Sequence, residues 1–296
     1  MIYDLIIIGM GPAGMNAAIY AKRNGLNVLM LEKNMPGGML NYISEIDNYL
    51  GFSSISGSDL AMKFYEHIKS LDIPFKLKEV IEIIDEKETK RIITKDEEYI
   101  CKNIIIATGR KSKLLGLPNE KELIGKGISF CALCDGMFFK GKTVAVIGGG
   151  NSALEEALHL AKLCEKVYLI HRREEFRADI EPQEKVNEKE NIQVILNTEI
   201  KAINEENNRL KSLTLSNNEE LEVSGLFIYI GYEPNINLIK KLVETDRKEY
   251  IIVDEKFKTS CDGIYAIGDI IKKDCYQIVT AISEGAIAAI NISDEV

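Results

Sequence analysis

Two glycine-rich turns constrain this chain more than any other feature. Each follows a short apolar strand and opens a helix. The first begins with Tyr3-Asp4-Leu5-Ile6-Ile7-Ile8, an apolar run of the kind buried on both faces of a parallel sheet. It continues into Gly9-Met10-Gly11-Pro12-Ala13-Gly14. In such a turn the first glycine permits the tight bend and the second lets a diphosphate approach the backbone. The third lets the helix pack closely on the strand. The helix runs through Ala17-Ala18-Ile19-Tyr20-Ala21 toward a stop at Gly25, and a second strand, Asn27 to Leu31, ends on Glu32. An acid at that place suits the two hydroxyls of an adenosine ribose and repels a 2′-phosphate, so this turn reads as a site for FAD or NAD rather than NADP.

The pattern returns after Gly141-Lys142. Thr143 to Ile147 is the strand, Gly148-Gly149-Gly150-Asn151-Ser152-Ala153 the turn, Leu154 to Leu163 the helix and Lys166 to Ile170 the second strand. This strand ends in His171-Arg172-Arg173, with Arg177 four residues beyond. Guanidinium forks there fit the oxygens of a 2′-phosphate, which makes the second turn an NADPH site. The halves correspond in order: Val28 to Glu32 answers Val167 to His171, and Ile104-Ile105-Ile106-Ala107-Thr108-Gly109 answers Phe227 to Gly231. The chain therefore reads as α/β, with a duplicated dinucleotide-binding unit.

Smaller signals fill the intervals. Gly37-Gly38 beside Pro36 marks a loop, and an amphipathic helix starts near Gly57 with Ser58 or Asp59 as its cap. The charge-broken β-like runs from Phe75 to Glu98 read as a small antiparallel insert, and a polar helix follows Glu181-Pro182. Near the end, Ile264 to Ile267 is a strand closing on Gly268-Asp269, and Gln277 to Ile290 is an apolar helix. A helix N-terminus there stabilises negative charge such as that of a reduced flavin, and Asp269 is in place for a ribityl hydroxyl.

Composition narrows the function. The 296 residues, 46% hydrophobic and 28% charged, suffice for two domains. A net charge of −9 argues against nucleic-acid binding, which needs a basic stripe. No apolar run is long enough for a membrane span, and an apolar strand starting beside Met1 leaves no room for a leader peptide. Cys101, Cys164, Cys261 and Cys275 are scattered, unlike a secreted disulfide framework, so a reducing cytoplasm is expected. Cys131 and Cys134 stand apart from these. Two cysteines three positions apart close a small disulfide loop and reopen it by thiol exchange. A zinc site would need a second such pair, which His159, Cys164 and His171 do not make, so no metal is expected.

In order, Gly9-x-Gly-x-x-Gly14, Ala107-Thr108-Gly109, Cys131-x-x-Cys134-Asp135-Gly136, Gly148-x-Gly-x-x-Ala153, His171-Arg172-Arg173-x-x-x-Arg177 and Gly268-Asp269 resemble the low-molecular-weight bacterial thioredoxin reductases. The likeness runs from Tyr3 to about Ile290, and the cysteine pair just before the second turn is its most specific part. It implies two Rossmann-like dinucleotide-binding domains, the second inserted into the first. Residues 1–112 and 239–296 would form an FAD domain, and residues 113–238 an NADPH domain carrying the cysteines. It also implies a homodimer that passes electrons from NADPH through FAD and the Cys131–Cys134 disulfide to thioredoxin or a similar small dithiol protein.

Carried over residue by residue, Cys134 is the flavin-proximal thiol, Cys131 the interchange thiol and Asp135 the acid that protonates a leaving thiolate. FAD falls to Gly9, Gly11, Pro12, Ala13, Gly14, Glu32, Gly38, Ala107, Thr108, Gly109, Gly268, Asp269 and Gln277. NADPH falls to Gly148, Gly150, Asn151, Ser152, Ala153, His171, Arg172, Arg173 and Arg177. Leu133 replaces a common threonine, and Tyr276 stands where a basic residue is frequent. A disulfide stacked on the flavin would block the nicotinamide, so the inserted domain is expected to rotate about hinges near Arg110 to Leu114 and Tyr232 to Asn237. The alternatives on the same scaffold are a glutaredoxin-like or peroxiredoxin-linked acceptor, a ferredoxin-fed reductase, or a small-molecule dithiol oxidase.

Overall fold

The computed structural model of the chain describes residues 2–43 and 45–295. Strand β1 (Ile2–Ile8) has its last four residues fully covered, as its apolar sequence requires. The chain turns at Gly9, enters helix α1 (Pro12–Arg23) and returns along β2 (Val28–Glu32), parallel to β1. Helix α2 (Gly57–Ser70) is capped two or three residues earlier than the expected Ser58 or Asp59. Its cap is Ser56, whose hydroxyl accepts the Asp59 N–H at 3.1 Å, because Ser56 is the last residue with extended backbone and Ser58 is already helical. Strand β3 (Phe75–Leu77) joins β2 in parallel. β4 (Val80–Asp85), β5 (Lys90–Thr94) and β6 (Glu98–Ile106) follow as a meander, β5 antiparallel to both of its neighbours. The expected insert is therefore an edge of the main sheet: β6 pairs with β5 through its first residues and lies parallel to β1 from Ile100 to Ile106.

After β7 (Arg110–Ser112) the chain builds a second unit. Strand β8 (Ile128–Ser129) leads to the short helix α3 (Ala132–Asp135), then β9 (Thr143–Gly148), α4 (Asn151–Ala161) and β10 (Lys166–Ile170). Helix α5 (Ile180–Asn187) and β11 (Ile192–Ile195) follow. An antiparallel meander comes next: β12 (Ile200–Glu206), β13 (Arg209–Leu215) and β14 (Glu220–Glu222). Strand β15 (Gly225–Tyr229) closes the unit, and β16 (Tyr232–Pro234) pairs with β7 as the chain leaves. Then β17 (Ile264–Ala266) adds to β6 of the first sheet, and α6 (Ile278–Ser293) ends the fold.

The chain thus divides into two compact units, Met1–Lys111 with Glu233–Val296, and Ser112–Tyr232. Their parallel strands share one order: β3-β2-β1-β6-β17 in the first and β11-β10-β9-β15-β8 in the second. The fifth strand comes from the tail in the first unit and from the entering segment in the second. Among the described residues no helix is long and apolar enough to cross a membrane.

In the first unit α1 and α6 pack together through small residues. A Cβ added at Gly285 would stand 2.3 Å from the Ala13 carbonyl oxygen and 2.9 Å from the Ala17 nitrogen. Gly285→Val is therefore expected to push the two helices apart and cost about 1–3 kcal/mol, read as a lowered thermal midpoint. An unchanged midpoint would mean the close approach is absent in solution.

Candidate active site

The cysteine loop is built by β8, α3 and β15 of the second unit. Cys131 and Cys134 form a disulfide with their Cα atoms 5.3 Å apart. Cys131 is buried (4% exposed), whereas Leu133 and Cys134 face outward. Cys131 caps α3, and its Sγ accepts the Cys134 N–H at 3.0 Å. Ser129, buried on β8, links the pair to the acid. Its hydroxyl accepts the Cys131 N–H at 3.0 Å and donates to Asp135 Oδ2 at 2.7 Å. From β15 the Tyr229 hydroxyl accepts the Ala132 N–H at 2.8 Å. Burial keeps the Tyr229 phenol protonated far above its ordinary range, with the nearby Glu156 charge adding to this.

The second glycine turn lies in the same unit. A Cβ at Gly148 would meet the Tyr229 carbonyl oxygen at 2.5 Å, while one at Gly150 meets none of the described residues within 4 Å. The backbone at the start of α4 is therefore open, and that helix has no acid in its first turn. Asn151 and Asp179 clasp one another across the helix start, through Nδ2 to Oδ2 at 2.6 Å and the Asp179 N–H to Oδ1 at 2.8 Å. His171 is buried (5% exposed) with its ring against Gly149, stacked on Phe176 and sharing a hydrogen bond with the Glu175 carbonyl. Burial holds its imidazole below the usual histidine range, as do the adjacent arginines. His171 thus anchors the loop, and the Arg177 N–H adds a bond to the Gly149 carbonyl at 2.7 Å. Arg172, Arg173 and Arg177 face solvent, and among the described residues none is in an ion pair.

The first unit repeats the design. A Cβ at Gly14 would lie 2.1 Å from the Gly9 carbonyl oxygen, and one at Gly11 meets none of the described residues within 4 Å. α1 begins on Pro12 with no acid in its first turn. Glu32 secures the turn, accepting the Met10 N–H at 2.8 Å and the Asn34 N–H at 2.9 Å. Gly38 packs over Gly11, and the Gly37 N–H binds the Met10 carbonyl. The Thr108 hydroxyl donates to the Asn235 carbonyl. Asp269 takes a 2.7 Å hydrogen bond from Arg110 and lies 3.4 Å from Lys273, and both cations stand over the Tyr276 ring. Positive charge therefore reaches that corner from neighbours of Tyr276. Gln277 caps α6.

Both cradles fit a dinucleotide diphosphate: an open glycine at a helix start, closed glycines behind it and no competing acid. Sequence reasoning missed Ser129, Tyr229, Arg110, Lys273 and two buried acids, Glu156 and Glu284. The acids leave one legible trace: each interrupts an apolar helical stripe, Ala153–Leu160 and Ala281–Ala288 respectively.

The family profile described as pyridine nucleotide-disulphide oxidoreductase matches residues 3–285. A thioredoxin reductase of Bacillus subtilis is 42% identical over 293 residues, 97% of this chain and 93% of the relative. A crystal structure of Lactococcus lactis thioredoxin reductase, in its FR conformation, superposes with a TM-score of 0.90 at 39% identity, covering 99% of this chain and 100% of that one. A ferredoxin-flavin thioredoxin reductase of Clostridium acetobutylicum gives a TM-score of 0.56 at 31% identity, covering 99% of this chain and 97% of that one. The chain belongs to the pyridine nucleotide-disulphide oxidoreductase family.

Ser129→Ala removes the group joining the acid to the cysteine loop and leaves a buried N–H without its acceptor. A cost of about 1–3 kcal/mol is expected, seen as a lowered urea midpoint of the oxidised protein. An unshifted midpoint would show that the Ser129 bridge carries no weight.

Proposed function

We propose that this oxidoreductase is an NADPH-dependent thioredoxin-disulfide reductase carrying FAD. The observation behind this reading is that one unit combines a cysteine pair, closed as a disulfide beside an acid, with a glycine turn whose following strand ends in three solvent-facing guanidinium groups. Arg172, Arg173 and Arg177 hold the 2′-phosphate of NADPH, and the Gly148–Ala153 turn holds its diphosphate. The Gly9–Gly14 turn, Glu32 and Asp269 hold FAD in the first unit. When bound, the flavin and nicotinamide supply the hydride chemistry that side chains lack.

The chain's own residues do the rest. Once the pair is reduced, the Cys131 thiolate attacks one sulfur of the partner disulfide, whose S–S bond breaks and whose other sulfur leaves as a thiolate. Asp135 supplies the proton for a leaving thiolate. Cys134 then attacks Cys131 in the mixed disulfide, which frees the partner as a dithiol and restores the Cys131–Cys134 bond. Two electrons pass and no sulfur is consumed. The protein works in the cytoplasm as a homodimer. A rotation about the two passages, Arg110 to Leu114 and Tyr232 to Asn237, lets one unit serve both nucleotide and partner. Cross-linking the two units should stop multiple turnover while sparing one half-reaction, and unchanged turnover would refute the rotation.

The direct test is anaerobic NADPH oxidation by the purified flavoprotein with thioredoxin, NADH run alongside. NADPH-selective turnover that Cys131→Ser abolishes is expected. Cys134→Ser should trap a mixed disulfide with thioredoxin, and a trap formed only with Cys131→Ser would reverse the two thiol roles. Arg172→Ala and Arg177→Ala should each raise the KM for NADPH roughly tenfold to a hundredfold and leave that for NADH nearly unchanged. A flavin that NADPH fails to bleach, but reduced ferredoxin bleaches, would favour a ferredoxin-fed reductase.

A further inference from the structure

Glu156 lies on the inner side of α4, 9% exposed, and among the described residues its Oε2 has no hydrogen-bond partner. Nothing in the chemistry above uses it. It stands on the helix against which the cysteine loop packs, since Gly136, just past α3, rests on Leu160 and Leu163. Its charge bears on Tyr229, whose hydroxyl holds the Ala132 N–H between the two cysteines. A buried carboxylate with an unsatisfied oxygen is costly, and protonation relieves that cost without a partner.

We propose that Glu156 is a positioning residue for the Cys131–Cys134 pair, a proton-holding carboxyl beneath the loop that keeps negative charge away from it while a thiolate forms. The proposal rests on the reading that this pair opens and closes in turnover. Burial pushes the Glu156 carboxyl up to about 7, with the neighbouring Glu155 charge adding to this. The other titratable groups around it are known by element. Asp135 and the cysteines lie on and beside α3, Tyr229 ends β15 and Tyr232 follows it. On α4 itself are Glu155 and His159, the latter held below its usual range by burial and Lys162. Lys166 and Tyr168 belong to β10, and Glu181, Glu184 and Lys185 are exposed on α5. β9, β11 and the rest of β15 carry none.

The coupling follows from charge. When a small dithiol reduces the pair, the Cys131–Cys134 bond breaks, two electrons enter, and the reductant closes to its own disulfide and releases two protons. Two protein thiols form if both protons are taken up, and one thiolate remains if only one is. A neutral Glu156 tolerates that thiolate, whereas an ionised Glu156 opposes it. Thiolate formation is therefore delayed to higher pH by the ionised carboxyl, and a thiolate in turn raises the proton affinity of Glu156.

The test is the pH profile of alkylation of the reduced pair by iodoacetamide, read by mass on the holoenzyme, for the native protein and Glu156→Gln. At about pH 8 the variant should alkylate roughly threefold faster or more, and at about pH 6 the two rates should match. Superimposable profiles would overturn the proposal. A pair that no small dithiol opens would overturn the redox reading as well, so the two failures are distinct. The native protein carries a second test that does not depend on the variant folding. With carbon-13 glutamate, the infrared band of a protonated glutamic acid should grow on reduction at about pH 7.5. No change in that band overturns the proposal.

Thermal melting adds a readout outside activity. A carboxyl raised in the folded state contributes its stability below its unfolded pKa and loses it as pH climbs through the folded value of about 7. Glu156→Gln should therefore melt higher than the native protein at about pH 8 and lose that advantage toward pH ~5. An equal shift at both ends would assign Glu156 a merely structural role and overturn the proposal.

Discussion

The missing side chains at Gly9 and Gly14 are the constraint on which the first unit depends. A Cβ at Gly9 would lie 2.4 Å from the Ala107 carbonyl oxygen, and one at Gly14 would lie 2.1 Å from that of Gly9. The end of β1, the start of α1 and the end of β6 therefore meet at a point where only backbone fits. α6 follows the same rule one layer out, through Gly285 on Ala13. Gly148 repeats it in the second unit, against Tyr229 and Ala153. Overfilling even an adaptable core costs about 1–3 kcal/mol, and these contacts are with backbone that has little room to yield. The open sides of Gly11 and Gly150 are the complement of that closure. Where the backbone is packed on one face, its N–H groups stay accessible on the other.

The two units differ most informatively where the second strand ends. Ile8 stands opposite Leu31 in one sheet and Ile147 opposite Ile170 in the other, which makes Glu32 and His171 equivalent by register. Both tie the chain back to the glycine turn, by different physics. Glu32 uses its carboxylate oxygens on the Met10 and Asn34 N–H groups. His171 uses its ring as a filler against Gly149 and turns its charge-bearing neighbours outward. One position thus secures the turn in both halves while presenting an acid in one and a run of guanidinium groups in the other.

What could be read from residues alone follows the same division. The two glycine turns and the strand ends that carry Glu32 and the arginines were legible because such features are local: a turn, a strand end, a spacing. The edge strand Phe75–Leu77 was not, since three residues carry no periodicity, and its pairing with β2 is a long-range fact. Ser56 was passed over for Ser58 because both are good caps and only the backbone decides between them. Ser129 carries no sequence signal, and Tyr229 reads as an ordinary strand residue. Their roles come from β8 and β15 lying side by side, a neighbourhood that forms only once the chain has left and re-entered the sheet.

The loop sets two cysteines so alike in sequence in unlike surroundings, one buried and one exposed. Cys131 caps α3 and accepts the Cys134 N–H on its sulfur, while Ser129 holds its own N–H. When the bond opens, the negative charge has a donor waiting at Cys131. Such hydrogen bonds lower a thiol's pKa and make it the better nucleophile at neutral pH. Burial of Cys131 works against this, and so do the acids beneath it. The balance therefore depends on how many of those acids are neutral when the thiolate appears. Tyr229 stays protonated throughout, and Asp135 is engaged by Ser129. Burial has pushed Glu156 up into the range where its charge can change during a cycle at neutral pH. On the proposal above, the reactivity of the buried Cys131 is set from the inner face of α4.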